Sequence, residues 1–257
     1  REAMIHALEQ QEPLWEIGTK AAYHVHHQGF LLGEIMRRIT GTTVGPFLRR
    51  EITDPLRAEY WIGRMSAAEQ ATVAEVMPNM NARLFAAKDH EDHTSLRSLA
   101  FKQNPLEPWA TTMNSAIWKT CEIASGSGHG NARGVAKIYG ALGNGGSLDG
   151  VTLMGRSDID AMTTEQHNQT EQLQDRPYHQ ALGILLNTPE AVYMGPNRRS
   201  FGHHGLGDAV DNFNLEVEFF LEADERDHDL GLHLDLLLGD VCGGFEDRAG
   251  LHLGDLG

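Results

Sequence analysis

Two stretches of the sequence are the most informative about its fold: FGHHGLG at residues 201–207 and KAAYH at residues 20–24. The first stretch sets two histidines among three glycines, and the second places Tyr23 just ahead of a helical pattern. Further motifs lie between and around them in a fixed order: WEIGTKAAYH (15–24), GFLLGEI (29–35), RITG (38–41), DPL (54–56), WIG (61–63), GHGNARGVAKIY (128–139) and LGNGG (142–146). Each motif is weak by itself, but their order over residues 12–207 is specific.

In this order the motifs resemble those of the serine β-lactamase and penicillin-binding-protein superfamily, in its esterase-like branch. Ile17 stands where the family's PGT turn has its proline. The resemblance implies an α/β (α+β) fold, in which an antiparallel sheet flanked by helices adjoins an all-helical lobe and the active site lies between them. We expect one such domain over residues 1–257, incomplete at both ends. Residues 1–120 would form the mainly helical lobe, 121–210 the return to the α/β lobe, and 211–257 a divergent acidic segment.

The resemblance also implies a mechanism and residue roles. In the family a serine attacks a carbonyl and forms an acyl-enzyme, which water then hydrolyses. Carried over by motif, Tyr23 would be the general base, and His203 and Gly205 would belong to the His-x-Gly motif of the edge strand. The backbone N–H of Leu206 would supply half of the oxyanion hole.

The nucleophile of that mechanism has no counterpart in this sequence. The family's serine lies in Ser-x-x-Lys, and no serine here has Lys three residues later, since Ser115 and Lys119 are one residue too far apart. No Gly-x-Ser-x-Gly elbow occurs either. Because the chain opens at Arg1, 22 residues before Tyr23, we expect a fragment truncated before the motif and inactive as given. The alternative is a catalytically silent β-lactamase-like binding protein.

The third motif bears on the substrate. A Lys at the place of His203 would be a permanent cation suited to the carboxylate of a β-lactam, whereas an unperturbed His with a pKa of about 6.5 is mostly neutral at pH 7. The motif therefore favours a small-molecule ester or amide as substrate.

Charge and composition limit the other partners. The net charge is −15, and residues 208–257 hold 14 of the 36 acidic residues but only two of the 21 basic ones. An acidic tail on a nearly neutral body argues against a nucleic-acid partner. No apolar run approaches the roughly 18 residues of a membrane span, so we expect no membrane span. The oligomeric state stays open.

Histidine clusters raise the possibility of a metal-dependent hydrolase. His24, His26 and His27 lie close in sequence, and His90 and His93 are three residues apart. Metallo-hydrolases often use His-x-His-x-Asp-His, and this chain offers neither that Asp nor that spacing. Without acidic or cysteine ligands in register, the sequence predicts no metal site and no cofactor.

Periodicity predicts several elements. Leu31, Leu32, Ile35 and Ile39 share one face of a helix over residues 28–40, and Gly41 fits its C′ position. A flexible lead-in over residues 125–130 would precede a helix from Asn131, its N-cap, to Leu142. The remaining predictions are helices near 1–11, 46–53 and 112–121, and strands at 181–186, 190–194, 215–221 and 230–236.

Overall fold

The computed structural model divides the chain into two compact units. The first consists of residues 1–76, 93–135 and 171–174, and the second of residues 77–92, 136–170 and 175–257. The structure describes residues 1–23, 26–76, 95–96, 100, 109–173, 175, 177–188, 193–194, 196–203, 215–221 and 232–238. Helices and antiparallel strands occur together along the chain, as the predicted α/β (α+β) class requires. The division at residues 120 and 210 stays a prediction.

The described part of the first unit is mainly helical. Its helices are α1 Glu2–Gln10, α2 His27–Thr40, α3 Val44–Leu48, which continues as a π-helix over Arg49–Thr53, α4 Ala67–Gln70, α5 Trp109–Asn114 and α6 Ala116–Thr120. Helix α1 packs against α2. The helix predicted near residues 112–121 is two helices, since Ser115 interrupts it and caps α6 by accepting a 3.2 Å hydrogen bond from the N–H of Trp118.

Helix α2 has the predicted bounds but not the orientation that its pattern suggests. Gly41 ends it in the left-handed conformation, with φ of 72°. Its apolar residues Leu31, Leu32, Ile35 and Ile39 are 41–79% exposed, whereas Glu34 is only 8% exposed. The Glu34 carboxylate accepts hydrogen bonds from the guanidinium groups of three arginines, namely Arg1, Arg37 and Arg38. These bonds hold its pKa well below the usual range, those from Arg37 foremost.

A short antiparallel ladder replaces part of the flexible lead-in predicted over residues 125–130. Strand β1 (Tyr60–Ile62) pairs with β2 (Gly128–Gly130), with Tyr60 opposite Gly130 and Ile62 opposite Gly128. Side-chain atoms of Tyr60 occupy the space where a Cβ of either glycine would lie. The lead-in prediction was therefore wrong for these three residues, because glycine serves here to admit the tyrosine ring.

The helix predicted from Asn131 is confirmed as α7 (Ala132–Gly143). The side chain of Asn131 caps it, with Oδ1 accepting a 2.8 Å hydrogen bond from the N–H of Gly134. Its most buried positions carry small residues, Gly134, Ala136, Gly140 and Ala141, whereas the larger Val135, Ile138 and Leu142 are only partly buried. Small residues on the buried side let the helix approach its neighbours closely.

The described part of the second unit is built on an antiparallel sheet. The sheet has the order β5-β6-β7-β8, with β5 His167–Thr170, β6 Pro177–Gln180, β7 Leu185–Leu186 and β8 Phe201–Gly202. Its core contains Ala136, Ala181, Ile184 and Phe201, against which side chains of α7 and α8 (Arg156–Met162) pack. Strands β3 (Ser147–Leu148) and β4 (Val151–Thr152) form a separate short pair.

The later strand predictions have mixed outcomes. Strand β9 (Leu215–Leu221) confirms its prediction, and it pairs antiparallel with β10 (Leu232–Leu238), close to the predicted 230–236. Within the predicted 181–186, only Leu185–Leu186 is a strand. The strand predicted at 190–194 lies mostly outside the described residues. None of the described helices combines the length and the apolar character needed to cross a membrane.

Candidate active site

The segment that carries Tyr23 is held by its own backbone contacts before α2 begins. Upstream, the N–H and the hydroxyl of Thr19 both donate to the carbonyl of Glu16, at 3.2 and 2.7 Å. The indole N–H of Trp15 donates to the carbonyl of Lys20 at 3.2 Å. These bonds close a turn that leads directly into residues 21–23, and Tyr23 at the end of this segment is half-buried.

A buried carboxylate fixes the backbone of Tyr23 itself. Glu171 is 0% exposed, and its Oε2 accepts hydrogen bonds from the N–H of Tyr23 at 3.1 Å and from the N–H of Leu173 at 2.9 Å. Beside it, the N–H of Gln172 donates to the carbonyl of Ala21 at 2.9 Å. All five residues belong to the first unit. Two bonds thus hold residues 21–23 against residues 171–173.

Downstream of Tyr23, the first turn of α2 packs on the loop over residues 121–127. The hydroxyl of Ser125 accepts a 3.1 Å hydrogen bond from the N–H of Gly29. Burial lowers the pKa of the His26 imidazole, and the neighbouring His27 lowers it further. A neutral imidazole is therefore favoured at the entrance to the helix, three residues after the candidate base.

That supporting loop is closed by a buried hydroxyl. Ser127 is 0% exposed, and its Oγ accepts from the N–H of Ile123 at 3.0 Å and donates to the carbonyl of Cys121 at 2.8 Å. A hydroxyl that is buried and bonded to the backbone in this way is not placed to attack a substrate. Ser127 is accordingly a structural residue and not a substitute for the nucleophile of Ser-x-x-Lys.

Of the other predicted site residues, the structure describes His203. His203 directly follows β8, whose Phe201 pairs with Leu186, and it is half-buried in the second unit. Gly205 and Leu206 lie outside the described residues. The structure describes Tyr23 and His203 each within its own unit. The roles assigned to Tyr23, His203, Gly205 and Leu206 stay predictions.

The described residues offer no metal centre. Among them, no group of three or more His, Cys, Asp or Glu side chains is arranged to hold a metal ion. His26 and His27 are described, whereas His24, His90 and His93 lie outside the described residues.

Sequence reasoning did not identify Glu171. It stands in the polar run from Glu165 to Gln174, where nothing distinguishes it from its solvent-exposed neighbours. Its burial follows from contact with residues that are about 150 positions away in the chain. No local pattern encodes such a contact.

Comparison with known proteins relates most of the chain to one family. The family model described as Beta-lactamase matches residues 1–214. The esterase/beta-lactamase LipL of Mycobacterium tuberculosis (strain ATCC 25618 / H37Rv) is 30% identical over 199 residues, which are 74% of this chain and 44% of that protein. Tyr23 and His203 both fall within the stretch that the family model matches.

Solved structures agree with this relationship. A penicillin-binding-protein homologue from Caulobacter crescentus is 33% identical with a TM-score of 0.67, covering 79% of this chain and 52% of that one. A family VIII carboxylesterase is 32% identical with a TM-score of 0.62, covering 85% and 53%. EstA from Arthrobacter nitroguajacolicus Rue61a, at 21% identity, shares the fold with a TM-score of 0.67 and coverage of 85% and 55%. The chain spans about half the length of these relatives.

Proposed function

Because the chain belongs to the β-lactamase family, we propose that it contributes the general base and the edge-strand motif of an acyl-transfer site for a small ester or amide. The observation that carries the proposal is the family match over residues 1–214, which contains both Tyr23 and His203. The two relatives named as esterases or carboxylesterases at 30% and 32% identity favour the ester.

In the proposed reaction Tyr23 takes the proton of a serine hydroxyl as the serine attacks the carbonyl carbon. The carbonyl electrons move to oxygen, and the backbone N–H of Leu206 stabilises the resulting oxyanion. Collapse of the intermediate forms the acyl-serine and expels the leaving group, which takes the proton from Tyr23. Water then hydrolyses the acyl-serine. A phenol with a pKa of about 10 needs roughly 4 kcal/mol of differential stabilisation to reach 7, which a nearby ammonium group would largely supply. A histidine at residue 203, where the family's β-lactamases have a permanently charged lysine, suits an uncharged substrate.

The absence of a recognisable nucleophile limits the activity of these 257 residues by themselves. They contain no Ser-x-x-Lys and no Gly-x-Ser-x-Gly, and loss of a serine hydrolase nucleophile costs on the order of 10⁶ in turnover. We propose that the 257 residues alone have little or no esterase activity. The same absence favours the second candidate function, a catalytically silent protein that keeps the β-lactamase-like site for binding.

A chimaera tests the proposed role of Tyr23 where the rest of the site is supplied. The 199 matched residues of the M. tuberculosis relative are replaced by those of this chain, and hydrolysis of p-nitrophenyl butyrate is measured. We expect turnover that Tyr23→Phe reduces at least about 100-fold in kcat, as removal of a general base does. Tyr60→Phe is the matched control: burial raises the pKa of the Tyr60 phenol, which keeps it protonated and unable to accept a proton. Its kcat should therefore stay within about twofold.

The result also separates the two functions. A folded chimaera that reacts with a fluorophosphonate and keeps its kcat after Tyr23→Phe contradicts the base assignment. A folded chimaera that neither hydrolyses the ester nor reacts with the probe, while the parent relative does both, favours the silent binding protein.

A further inference from the structure

We propose that Glu171 is a positioning residue for Tyr23, its buried carboxylate fixing the backbone that carries the candidate base. The inference rests on the proposed role of Tyr23. A single oxygen atom, Oε2 of Glu171, accepts hydrogen bonds from the N–H of Tyr23 at 3.1 Å and from the N–H of Leu173 at 2.9 Å. One carboxylate oxygen thus joins two backbone segments that are distant in sequence.

Burial shows that this contact is not incidental. Glu171 is 0% exposed, and a carboxylate without water must find its hydrogen-bond donors within the protein, or its burial is strongly unfavourable. Backbone N–H groups are such donors. If Tyr23 moves away, Oε2 of Glu171 loses one of its backbone donors.

A second bond removes the remaining freedom of the segment. The N–H of Gln172 donates to the carbonyl of Ala21 at 2.9 Å, two residues before the bond at Tyr23. Residues 21–23 are therefore bound at both ends, Tyr23 to Glu171 and Ala21 to Gln172. A backbone bound at two points fixes where the side chain of Tyr23 starts. Displacement of a catalytic group by about 1 Å costs on the order of 100-fold in rate.

A negative charge on Glu171 would not activate the phenol. A negative charge close to a phenol disfavours the phenolate and so opposes a base role. The contribution of Glu171 must come from its hydrogen bonds, and the proposal is therefore positional. Two variants separate charge from hydrogen bonding: Glu171→Gln removes the carboxylate but keeps one oxygen acceptor, and Glu171→Leu removes every acceptor.

The test uses the 257-residue chain and does not need turnover. Amide hydrogen exchange of Tyr23 and Leu173 is measured by ¹⁵N NMR, and the Tyr23 ring signal is followed with tyrosine labelled by ¹³C at Cζ. In Glu171→Leu we expect exchange at both amides to accelerate at least about tenfold and the Tyr23 ring signal to move. In Glu171→Gln we expect a smaller change in the same direction, which supports the proposal even if the Leu variant fails to fold.

Glu69→Gln is the matched control. Its carboxylate also accepts a backbone N–H, that of Ser66 at 2.7 Å, and also bonds Arg49 in the first unit. The Glu69→Gln substitution should lower the melting temperature without changing amide exchange at Tyr23 or the Tyr23 ring signal. Unchanged exchange at Tyr23 in both Glu171 variants overturns the proposal, as does an equal change in the Glu69 variant. A failure of the Tyr23→Phe test in the chimaera would remove the base role but leave this anchor intact, so the two failures are distinguishable.

Discussion

The imidazole of His26 lies edge-on against the indole of Trp118, with the ring centres 6.1 Å apart and the planes at 87°. Trp118 is 5% exposed, so His26 borders an apolar surface. That burial lowers its pKa, and the adjacent His27 lowers it further. Because His26 is three residues from Tyr23, its protonation acts on the entrance to α2.

We expect the chain to lose stability as the pH falls below about 6.5, the ordinary pKa of His. A histidine whose pKa is lower in the folded state binds more protons when unfolded, so acid favours unfolding. Burial lowers the pKa of His129 as well, which adds to the effect. Melting temperatures between pH 7.5 and pH 5 should fall in the wild type and fall less in His26→Gln, while the exposed His6→Gln should follow the wild type. Identical pH profiles for the wild type and His26→Gln would contradict the argument.

Two glycines of α7 should respond to alanine in opposite directions. A Cβ on Gly134 would lie 2.5 Å from the carbonyl oxygen of Glu59, whereas a Cβ on Gly140 would meet nothing closer than Leu148 Cδ2 at 3.8 Å. Gly134→Ala should therefore lower the free energy of unfolding by about 1–3 kcal/mol through overpacking. Gly140→Ala should raise it by up to about 1 kcal/mol, because alanine favours the helix. A denaturant midpoint that does not fall in Gly134→Ala would contradict the close approach at Glu59, and one that falls in Gly140→Ala would contradict the open space at Gly140.

Removal of the single hydroxyl of Ser127 should lower the stability of the chain. Ser127→Ala leaves the N–H of Ile123 and the carbonyl of Cys121 without the hydroxyl that bonds both. Unsatisfied buried groups cost about 1–3 kcal/mol each, so we expect a loss of at least about 1 kcal/mol in the free energy of unfolding by urea denaturation. Ser157→Ala, at an exposed position, is the control and should change little. Equal effects of the two substitutions would mean that the loop over residues 121–127 does not depend on Ser127.

Local signals predicted the elements of this fold better than their contacts. The bounds of α2 follow from helical spacing and from Gly41, which tolerates the left-handed conformation that ends the helix. The Asn131 cap is equally local, because its partner Gly134 is three residues away. Both predictions depend only on neighbours in the sequence and both are confirmed.

The features that could not be predicted from the sequence depend on contacts between residues that are distant in the chain. The buried face of α2 carries Glu34, because Arg1 from outside the helix joins Arg37 and Arg38 in satisfying its carboxylate. Gly128 and Gly130 suggested flexibility, yet they permit a strand that pairs with the strand of Tyr60 and leaves room for its ring. Glu171 shows the same limit within the candidate site, since its burial depends on the approach of residues 21–23.

The 257-residue chain should be unable to form an acyl-enzyme. Its sequence holds no Ser-x-x-Lys, and the buried hydroxyl of Ser127 is bonded to the backbone. We expect hydrolysis of p-nitrophenyl butyrate no faster than by the Tyr23→Phe variant, and no serine labelled by a fluorophosphonate, because loss of the nucleophile costs on the order of 10⁶ in turnover. A known serine esterase serves as the positive control for both assays. A labelled serine in this chain, with saturable hydrolysis that Tyr23→Phe abolishes, would show that a nucleophile outside the family's motif serves the same base.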